Sequence, residues 1–483
     1  MRRSRVWIII AGAALTAPAT VLAQATDGPA MVVAEDPQTG PLLLSDVLRR
    51  SARTAPQIIE ALARIRQAQG AALRSEGAFD TVFDVEGRSR VTGYYDGTIV
   101  EGTANQPLGT NGGYAYGGYR VSRGDFPIYE DEAFTNRLGE LQIGALFSLL
   151  RDRLIDERRA QRSIAARGID VARFEAEAAA IGVQSRTIAA YQDWVATGLR
   201  LQAYRELLEL AQDRTGAIDR QVQLGAQPRI LQTENEQNLV RRRARVIEAE
   251  QAFEAAAVRL SLFYRDPSGN PVIVGADRLP SDAQALALLS VDPDFTLSQR
   301  PELQSLLARV DQSVLSLALA ENAMRPRLDL VGKLAKDIGD EGLGGFSRTP
   351  FETIVGFQFS VPLQNRAAKG RVVEAEAKLD ELAIQQEFLR DRIETEVETM
   401  RIALNGAERL VETSRREFEL ARELAQAERR RFQLGSSNFF LVNQREETAT
   451  DAQVQLINAQ ARIAAAQADL AAATVDLDAL GLE

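Results

Sequence analysis

The chain has 483 residues, and its 57 Lys and Arg against 67 Asp and Glu give a formal charge of −10. It contains no His and no Cys, which excludes disulfides, His or Cys metal sites and Ser-His or Cys-His nucleophilic catalysis, so we expect no cofactor and no metal. The acidic balance argues against a nucleic-acid partner. Carboxylate chemistry is the enzymatic option left, but pairs such as Glu446-Glu447 are predicted to lie on solvated helix faces, so we expect no enzyme.

Residues 1–23 are predicted to be a secretory signal peptide. Three arginines within the first five residues precede a mostly apolar stretch, residues 6–22, and Ala23 ends a plausible small-residue cleavage site. A membrane anchor is the alternative interpretation. It is disfavoured because the apolar stretch has 17 residues and includes Pro18, whereas a spanning helix needs about 20.

A long internal repeat organises the chain. Residues 223–225 and 433–435 both read Gln-Leu-Gly, an offset of 210, and the residues that follow keep the same register. The repeat is far longer than that of a solenoid protein. We predict a first structural repeat over 24–264, a Pro- and Gly-rich linker over 265–294, and a second repeat over 295–483.

Four segments alternate apolar and polar residues with a period of two, which predicts β-strands with one wet and one apolar face. Each is about 10 residues long, the length of a tilted strand that crosses a membrane. An ordinary sheet over a soluble core is the alternative, but the rest of the sequence offers mainly narrow-striped helices as a second layer. The four predicted strands are about 79–95, 138–150, 326–336 and 352–363.

The segments between the paired strands are predicted to be outer loops. Residues 96–137 are rich in Gly, Tyr and Asn, and residues 337–350 are rich in Gly. Long polar loops at one end of strand pairs are typical of the outer face of a bacterial barrel. The same composition also suits a mobile loop on any protein.

Two long stretches without Pro, residues 151–224 and 366–434, are predicted to be helices of roughly 100–110 Å at about 1.5 Å per residue. Heptad spacing of apolar residues indicates coiled-coil-like packing. Each long helix turns back to form a helical hairpin, over 151–264 and 366–480. An autonomous soluble coiled coil is the alternative, but it leaves the alternating strands unexplained.

Shorter helices have the lengths needed to pair with the long ones. In the first repeat, the return arm 226–264 and the segment 45–77 together match the long helix in length. In the second repeat, 436–480 and 296–324 do the same. We therefore predict that two shorter helices, stacked end to end, pack along each long helix.

Four strands cannot close a membrane barrel, since the smallest known barrel has eight. Open sheet edges are not tolerated in lipid. The chain is therefore expected to oligomerise, with eight strands in a dimer or twelve in a trimer. The helices are expected to continue from the barrel on the periplasmic side.

The residues at the junctions resemble those of the TolC family of bacterial outer-membrane efflux and secretion channels. Residues 359–371 resemble the strand-to-helix junction of that family, residues 149–156 resemble its first-half counterpart, and Phe432, Gly435 and Leu441 resemble its hairpin tip. The junction positions are Asp152, Arg153, Pro362, Asn365, Arg366 and Gly370.

The resemblance implies an α+β membrane protein with long antiparallel coiled-coil hairpins and four transmembrane strands per chain. A homotrimer then forms a 12-stranded barrel and an α-helical barrel in the outer membrane of a Gram-negative cell, extending into the periplasm. The implied function is passive conduction in a tripartite efflux or type I secretion system, with a periplasmic adaptor and an inner-membrane RND or ABC transporter as partners. Drugs, metals and secreted proteins all stay open as cargo.

A periplasmic adaptor is the alternative function, because adaptors also contain a helical hairpin. An adaptor would have a single hairpin and a β-rich lipoyl-like module. This sequence has two predicted hairpins and strands of membrane-crossing length, which favours the channel.

The resemblance places the adaptor-docking tips at Leu224, Gly225, Ala226, Leu434, Gly435 and Ser436.

The family resemblance also implies a periplasmic gate just beyond the tips. The acidic residues that form a ring in well-studied members are replaced here, so Glu234 supplies a weaker ring or Leu231 and Leu441 form an apolar constriction, which can gate by dewetting. Packing of these leucines between helices is the third interpretation. The gate candidates are Leu231, Glu234, Phe432, Leu441 and Gln444.

Overall fold

The computed structural model describes residues 40–280, 296–342, 348 and 350–482. The predicted signal peptide and the second part of the predicted linker, residues 281–294, lie outside the described residues. The described helices are α1 Leu44–Thr54, α2 Pro56–Glu76, α3 Glu157–Gln223, α4 Ile230–Leu260, α5 Pro301–Asn322, α6 Arg366–Gln433 and α7 Phe439–Thr474. The strands are β1 Val82–Ser89, β2 Thr98–Pro107, β3 Tyr114–Arg123, β4 Glu140–Ser148, β5 Arg327–Asp337 and β6 Glu352–Ser360.

The helices form the two predicted hairpins, α3 with α4 and α6 with α7. Helices α2 and α4 both pack along α3, and helices α5 and α7 both pack along α6. The expected pairing of each long helix with two shorter ones is therefore confirmed. Helix α5 also contacts α3, and α7 also contacts α3, so the two hairpins lie side by side.

The helices are somewhat shorter than predicted, and three of the differences have a clear local cause. The predicted helix 45–77 is divided because Ala55 is extended before Pro56, and a residue before proline avoids the helical region. Helix α3 begins at Glu157 and not at residue 151, since Asp156 caps it by accepting a 2.8 Å hydrogen bond from the Arg159 N–H. Helix α7 ends at Thr474, before Val475 in a left-handed conformation.

Within the described residues, no helix combines the length and the apolar character needed to cross a membrane.

The largest apolar core surrounds Trp194 at the middle of α3. Phe253 and Leu260 of α4 pack here, and so do Val272 and Val274 from the start of the predicted linker. The Tyr191 hydroxyl donates a 2.8 Å hydrogen bond to the Leu42 carbonyl, which ties the segment before α1 to the same core. The described part of the linker is thus packed onto the first hairpin.

The strands form one antiparallel sheet in the order β1-β2-β3-β4-β5-β6. The predicted strands, about 79–95, 138–150, 326–336 and 352–363, overlap β1, β4, β5 and β6, and the first strand is shorter than predicted because it ends at Ser89. The sheet has two strands more than the four predicted, because residues 96–137, which by composition resemble an outer loop, contain β2 and β3 as well as loop.

The aromatic residues of this segment take part in strand packing and not only in loops. The ring of Tyr116 in β3 lies over Gly144 of β4, where a Cβ atom would come within 2.4 Å of the ring. A glycine opposite a large aromatic residue allows the strands to pair closely. The high Gly and Tyr content that suggested a loop is therefore part of a sheet.

The two faces of the sheet differ in chemistry. We call the side that carries Phe83, Phe147, Phe357 and Phe359 the apolar face, and these four phenylalanines are all exposed in the single chain. We call the opposite side, which carries Glu101, Arg120, Glu140 and Gln142, the polar face. This alternation confirms the prediction that the strands have one apolar and one polar face.

The connection from β3 to β4 folds over the polar face at the end of the sheet away from the helices. Phe126 and Ala133 of this connection bury Ile99 of β2. The Thr135 hydroxyl oxygen accepts a 3.0 Å hydrogen bond from the Ser122 N–H. The one large apolar side chain of β2 on the polar face is thus covered by protein.

Candidate functional site

The two predicted hairpin tips are formed by superimposable hydrogen-bond patterns. Gly225 and Gly435 both have φ of +74°, the left-handed conformation that glycine adopts without strain. The Gly225 N–H donates to the Val222 carbonyl, and the Gly435 N–H donates to the Phe432 carbonyl, both at 3.0 Å. The repeated Gln-Leu-Gly motif therefore encodes the same helix stop twice.

The tips present apolar side chains to solvent. Leu224 is 83% exposed and Leu434 is 82% exposed. The flanking Ala226 and Ser436 are exposed as well. Such leucines at the ends of two helical hairpins form an apolar contact surface. Their role as an adaptor-docking surface stays a prediction.

The return helix of the second hairpin begins with a side-chain cap. The Asn438 side-chain oxygen accepts a 2.8 Å hydrogen bond from the Leu441 N–H. This bond satisfies one of the free amides at the start of α7. It also fixes the start of the helix that carries the second set of gate candidates.

The gate candidates divide by exposure. Leu231, Phe432 and Leu441 are half-buried, whereas Glu234 and Gln444 are exposed. An exposed Glu234 is compatible with a carboxylate that faces an aqueous passage. The gating roles of all five residues stay predictions.

A largely buried ionic cluster, which no sequence motif indicates, joins the two hairpins above the tips. Glu446 of α7, which is 3% exposed, contacts arginines of three other helices. Its carboxylate lies 2.5 Å from the Arg214 guanidinium of α3, 3.4 Å from that of Arg242 in α4 and 3.2 Å from that of Arg429 in α6. We call Glu446 and these three arginines the arginine–glutamate cluster.

Neighbouring oxygen atoms accept further hydrogen bonds from the arginines of the cluster. The Asn443 side-chain oxygen accepts hydrogen bonds of 3.2 Å from both Arg214 and Arg242. Arg242 also donates a 2.7 Å hydrogen bond to the Leu207 carbonyl. The pKa of Arg242 is lowered chiefly by its burial, while the attraction of Glu446 opposes that shift.

The prediction that Glu446 lies on a solvated helix face is wrong. It follows the buried residues Phe439 and Val442 by seven and four positions, which places it on the buried stripe of α7. The adjacent Glu447 does retain partial exposure and pairs with Arg241 at 2.7 Å. Helical spacing, and not carboxylate pairing, was the feature that could have identified Glu446.

The strand-to-helix junctions share an unusual backbone conformation. Asp152 has φ of +67° and Asn365 has φ of +53°, and both are left-handed without being glycine. Asp and Asn tolerate this region better than other side chains. The correspondence that the sequence predicts between these two positions is therefore seen in the backbone of both repeats.

Both junction residues bond to the end of α5 or to the residues that directly follow it. The Asn322 amide donates a 2.9 Å hydrogen bond to the Asp152 carboxylate. The Asn365 amide donates a 3.1 Å hydrogen bond to the Met324 carbonyl. The end of α5 thus connects the two junctions. The other predicted junction residues, Arg153, Pro362, Arg366 and Gly370, are exposed.

Solved structures of outer-membrane channels share this fold along nearly the whole chain. The VceC outer membrane protein of Vibrio cholerae has 16% sequence identity and a TM-score of 0.60, and the match covers 91% of this chain and 97% of that one. The open MtrE channel of Neisseria gonorrhoeae has 14% identity and a TM-score of 0.62, with 95% of this chain and 98% of that one covered. The CmeC channel of Campylobacter jejuni has 17% identity and a TM-score of 0.57, with 89% of this chain and 85% of that one covered. No curated protein sequence matches the chain.

The fold of the chain is that of these outer-membrane channels. Residues 293–474, essentially the second repeat up to the end of α7, match the family described as outer membrane efflux protein. This match agrees with the resemblance drawn from the sequence.

Proposed function

We propose that the chain is the outer-membrane component of a tripartite efflux or secretion system, conducting substrates passively from the periplasm to the exterior. Three copies close the sheet into a barrel, and their helices continue as a periplasmic tunnel. A periplasmic adaptor docks at the tips, and an inner-membrane RND or ABC transporter supplies the cargo. Channels of this type form trimers.

One observation carries this proposal: a sheet with an apolar outer face and two unpaired edges stands on helical hairpins that end in exposed leucines. Strands β1 and β6 are at the edges of the sheet in the single chain. Unpaired strand edges cannot remain in lipid, so neighbouring chains must supply the missing partners. Closure between β6 of one copy and β1 of the next satisfies this requirement.

Native mass spectrometry of the detergent-solubilised protein tests the assembly. We expect a trimer and no persistent folded monomer. In parallel, the trimer in a planar bilayer is expected to conduct ions. A stable, β-rich monomer would contradict the proposal, as would a protein found only in the soluble periplasmic fraction.

We predict that Gly225→Val combined with Gly435→Val abolishes adaptor docking while leaving the barrel intact. Both glycines are left-handed, so a β-branched residue strains each tip by about 1–2 kcal/mol. No neighbouring atom lies within 4 Å of a Cβ at either position, so the effect is confined to the backbone of the turn. In vivo cross-linking to the adaptor and export are the measurements. The Gly216→Val variant is the control, since its glycine is helical with open space around it.

We predict that Leu441→Ala makes the closed channel leaky to small solutes. Leu441 is half-buried near the start of α7, where three copies would approach the tunnel axis. Removing the side chain widens an apolar constriction and weakens its dewetting. Conductance in planar bilayers is the measurement, with Gln444→Ala as the exposed comparison. An unchanged conductance for Leu441→Ala would place the gate elsewhere.

A further inference from the structure

We propose that the β2–β3 hairpin crosses the outer membrane as part of the barrel wall, with its outward face against lipid acyl chains. Each protomer then contributes six strands, and three protomers close a barrel of three times six, or eighteen, strands. This inference rests on the proposed function as an outer-membrane channel. It replaces the twelve-stranded barrel that four strands per chain would give.

The hairpin is hydrogen-bonded into the sheet on both sides. Strand β2 pairs with β1 over its whole length, from Val82 opposite Asn105 to Ser89 opposite Thr98. Strand β3 pairs with β4 over seven positions that end at Arg120 opposite Glu140. Strands β1 and β4 are therefore separated by the hairpin, which occupies the plane of the sheet.

The hairpin strands have the length of membrane-crossing strands. Both β2 and β3 contain 10 residues, and a tilted strand needs about 9–11 residues to cross the hydrocarbon core. A hairpin that lies outside the membrane, on the outer surface, would not need strands of this length.

The two faces of the hairpin continue the two faces of its neighbours. The middle of its apolar face is small or apolar apart from Tyr119 in β3, and the polar residues Gln106, Thr98 and Arg123 of this face lie at the ends of the two strands. The small or apolar residues are Val100, Gly102, Ala104, Ala115, Gly117 and Val121. They lie in register with Phe83 and Val85 on one side and Leu141 and Ile143 on the other. The apolar face therefore runs without interruption across the hairpin.

The polar face of the hairpin carries charges that pair across the sheet. Glu101 of β2 accepts a 2.6 Å hydrogen bond from the Gln142 amide of β4. Arg120 of β3 forms an ion pair with Glu140 of β4, and Lys333 of β5 lies 3.5 Å from the same carboxylate. An arrangement with apolar residues outside and charged residues inside is that of a membrane barrel wall.

The turn of the hairpin reaches the end of the sheet where the long helix begins. The Asn111 side chain accepts a 2.9 Å hydrogen bond from the Ser148 N–H and donates a 3.0 Å hydrogen bond to the Ser148 carbonyl. The Gly112 N–H donates to the Asp152 carbonyl at 3.0 Å. The Arg158 guanidinium of α3 donates to the Gly112 carbonyl at 2.9 Å. The hairpin thus spans the sheet from its distal end to the strand-to-helix junction.

A hairpin folded into the pore would look different. It would leave β1 paired directly with β4, and it would expose Val100 and Ala104 to water. Because barrel diameter grows roughly linearly with strand number, eighteen strands give a pore about one and a half times as wide as twelve. The wall position therefore predicts passage of bulkier solutes through the barrel.

Single-cysteine scanning tests the hairpin directly, because the natural chain contains no Cys. The variants Val100→Cys and Ala104→Cys place a fluorophore on the apolar face, and Glu101→Cys and Thr103→Cys place it on the polar face. In proteoliposomes, brominated phospholipid is expected to quench the first pair and aqueous iodide the second. Quenching of all four positions by iodide alone would overturn the wall position.

Two positions on β6 separate this inference from the proposed function. Phe357→Cys is expected to be quenched by brominated lipid, and Gln358→Cys by iodide. If Phe357→Cys behaves as expected but Val100→Cys does not, the hairpin lies outside the wall and the channel function stands. If Phe357→Cys itself is not quenched by lipid, the channel function fails and the wall position with it. Electron cryo-microscopy of the trimer gives a second readout, with eighteen strands expected and twelve contradicting the inference.

Discussion

Replacing Glu446 with Ala is expected to lower the free energy of unfolding of the helical region by about 3–5 kcal/mol, because three arginines lose their shared counter-charge in a buried site. Arg242 is only 1% exposed at its side chain and cannot move into water without opening the helix contacts. Denaturation followed by the helical circular dichroism measures the loss. Mutual repulsion of the arginines is also expected to separate the hairpins, which raises the conductance of the trimer in planar bilayers.

Glu447→Ala is the matched control for this prediction. Glu447 is the next residue of the same helix, and its carboxylate pairs with Arg241, which is more than half exposed, at 2.7 Å. It lies farther, at 4.0 Å, from the buried Arg242. Partly exposed pairs contribute roughly 0–1 kcal/mol, so this variant is expected to remain near the stability of the parent. Equal losses for the two variants would show that the cluster does not hold the hairpins together.

Replacing Phe357 with Arg is expected to destabilise the barrel by about 2–4 kcal/mol, the cost of a charge on the lipid face near the bilayer midplane. Phe357 is central in β6, lies opposite Leu330 of β5, and is 78% exposed on the apolar face. The temperature at which trimers dissociate in detergent, and the yield of trimers in outer-membrane fractions, both report the loss.

Gln358→Arg provides the comparison from the other face. Gln358 is adjacent in sequence and lies opposite Asp329 of β5 on the polar face. An arginine there meets water and a carboxylate, so its cost is expected to be small. The assignment of faces would be refuted if both substitutions lowered trimer stability to the same extent.

Features that depend on local spacing were predictable from the sequence. The alternation of Phe357 and Phe359 with Gln358 and Ser360 defines β6, because the period of a strand is fixed by its pleat. The helix stops at Gly225 and Gly435 are predictable for a similar reason, since a left-handed stop strongly favours glycine. Both features repeat 210 residues apart, or nearly so, and this repetition strengthened each interpretation.

The hairpin β2–β3 is hard to predict because the Gly and Tyr content of residues 96–137 indicates a loop, whereas the two-residue period of its strands is weak. Its glycines and tyrosines suggest a loop, yet Glu101, Thr103 and Asn105 alternate with smaller, less polar residues in β2. Glycine in a strand lowers its intrinsic propensity, and only the pairing with neighbouring strands compensates for that loss. That compensation depends on contacts such as Tyr116 over Gly144, which no local window contains.

The arginine–glutamate cluster could be predicted only in part. The position of Glu446 on the buried stripe of α7 follows from helical spacing, but its three partners come from α3, α4 and α6. The sequence separation between Arg214 and Glu446 is 232 residues. A contact between residues so distant in sequence depends on how the two hairpins pack against each other, which the sequence pattern of either hairpin alone does not specify.

The open edges of the sheet have a consequence for the genetics of this channel. Since β1 and β6 of each copy must pair with different neighbours, a chain with one blocked edge still enters an assembly through its intact edge. Such a chain leaves a gap that two normal copies cannot repair. If defective and normal chains were made in equal amounts and mixed at random, only about one trimer in eight would contain three normal copies. Edge-strand lesions in this protein should therefore be dominant, whereas lesions that unfold the whole chain should be recessive.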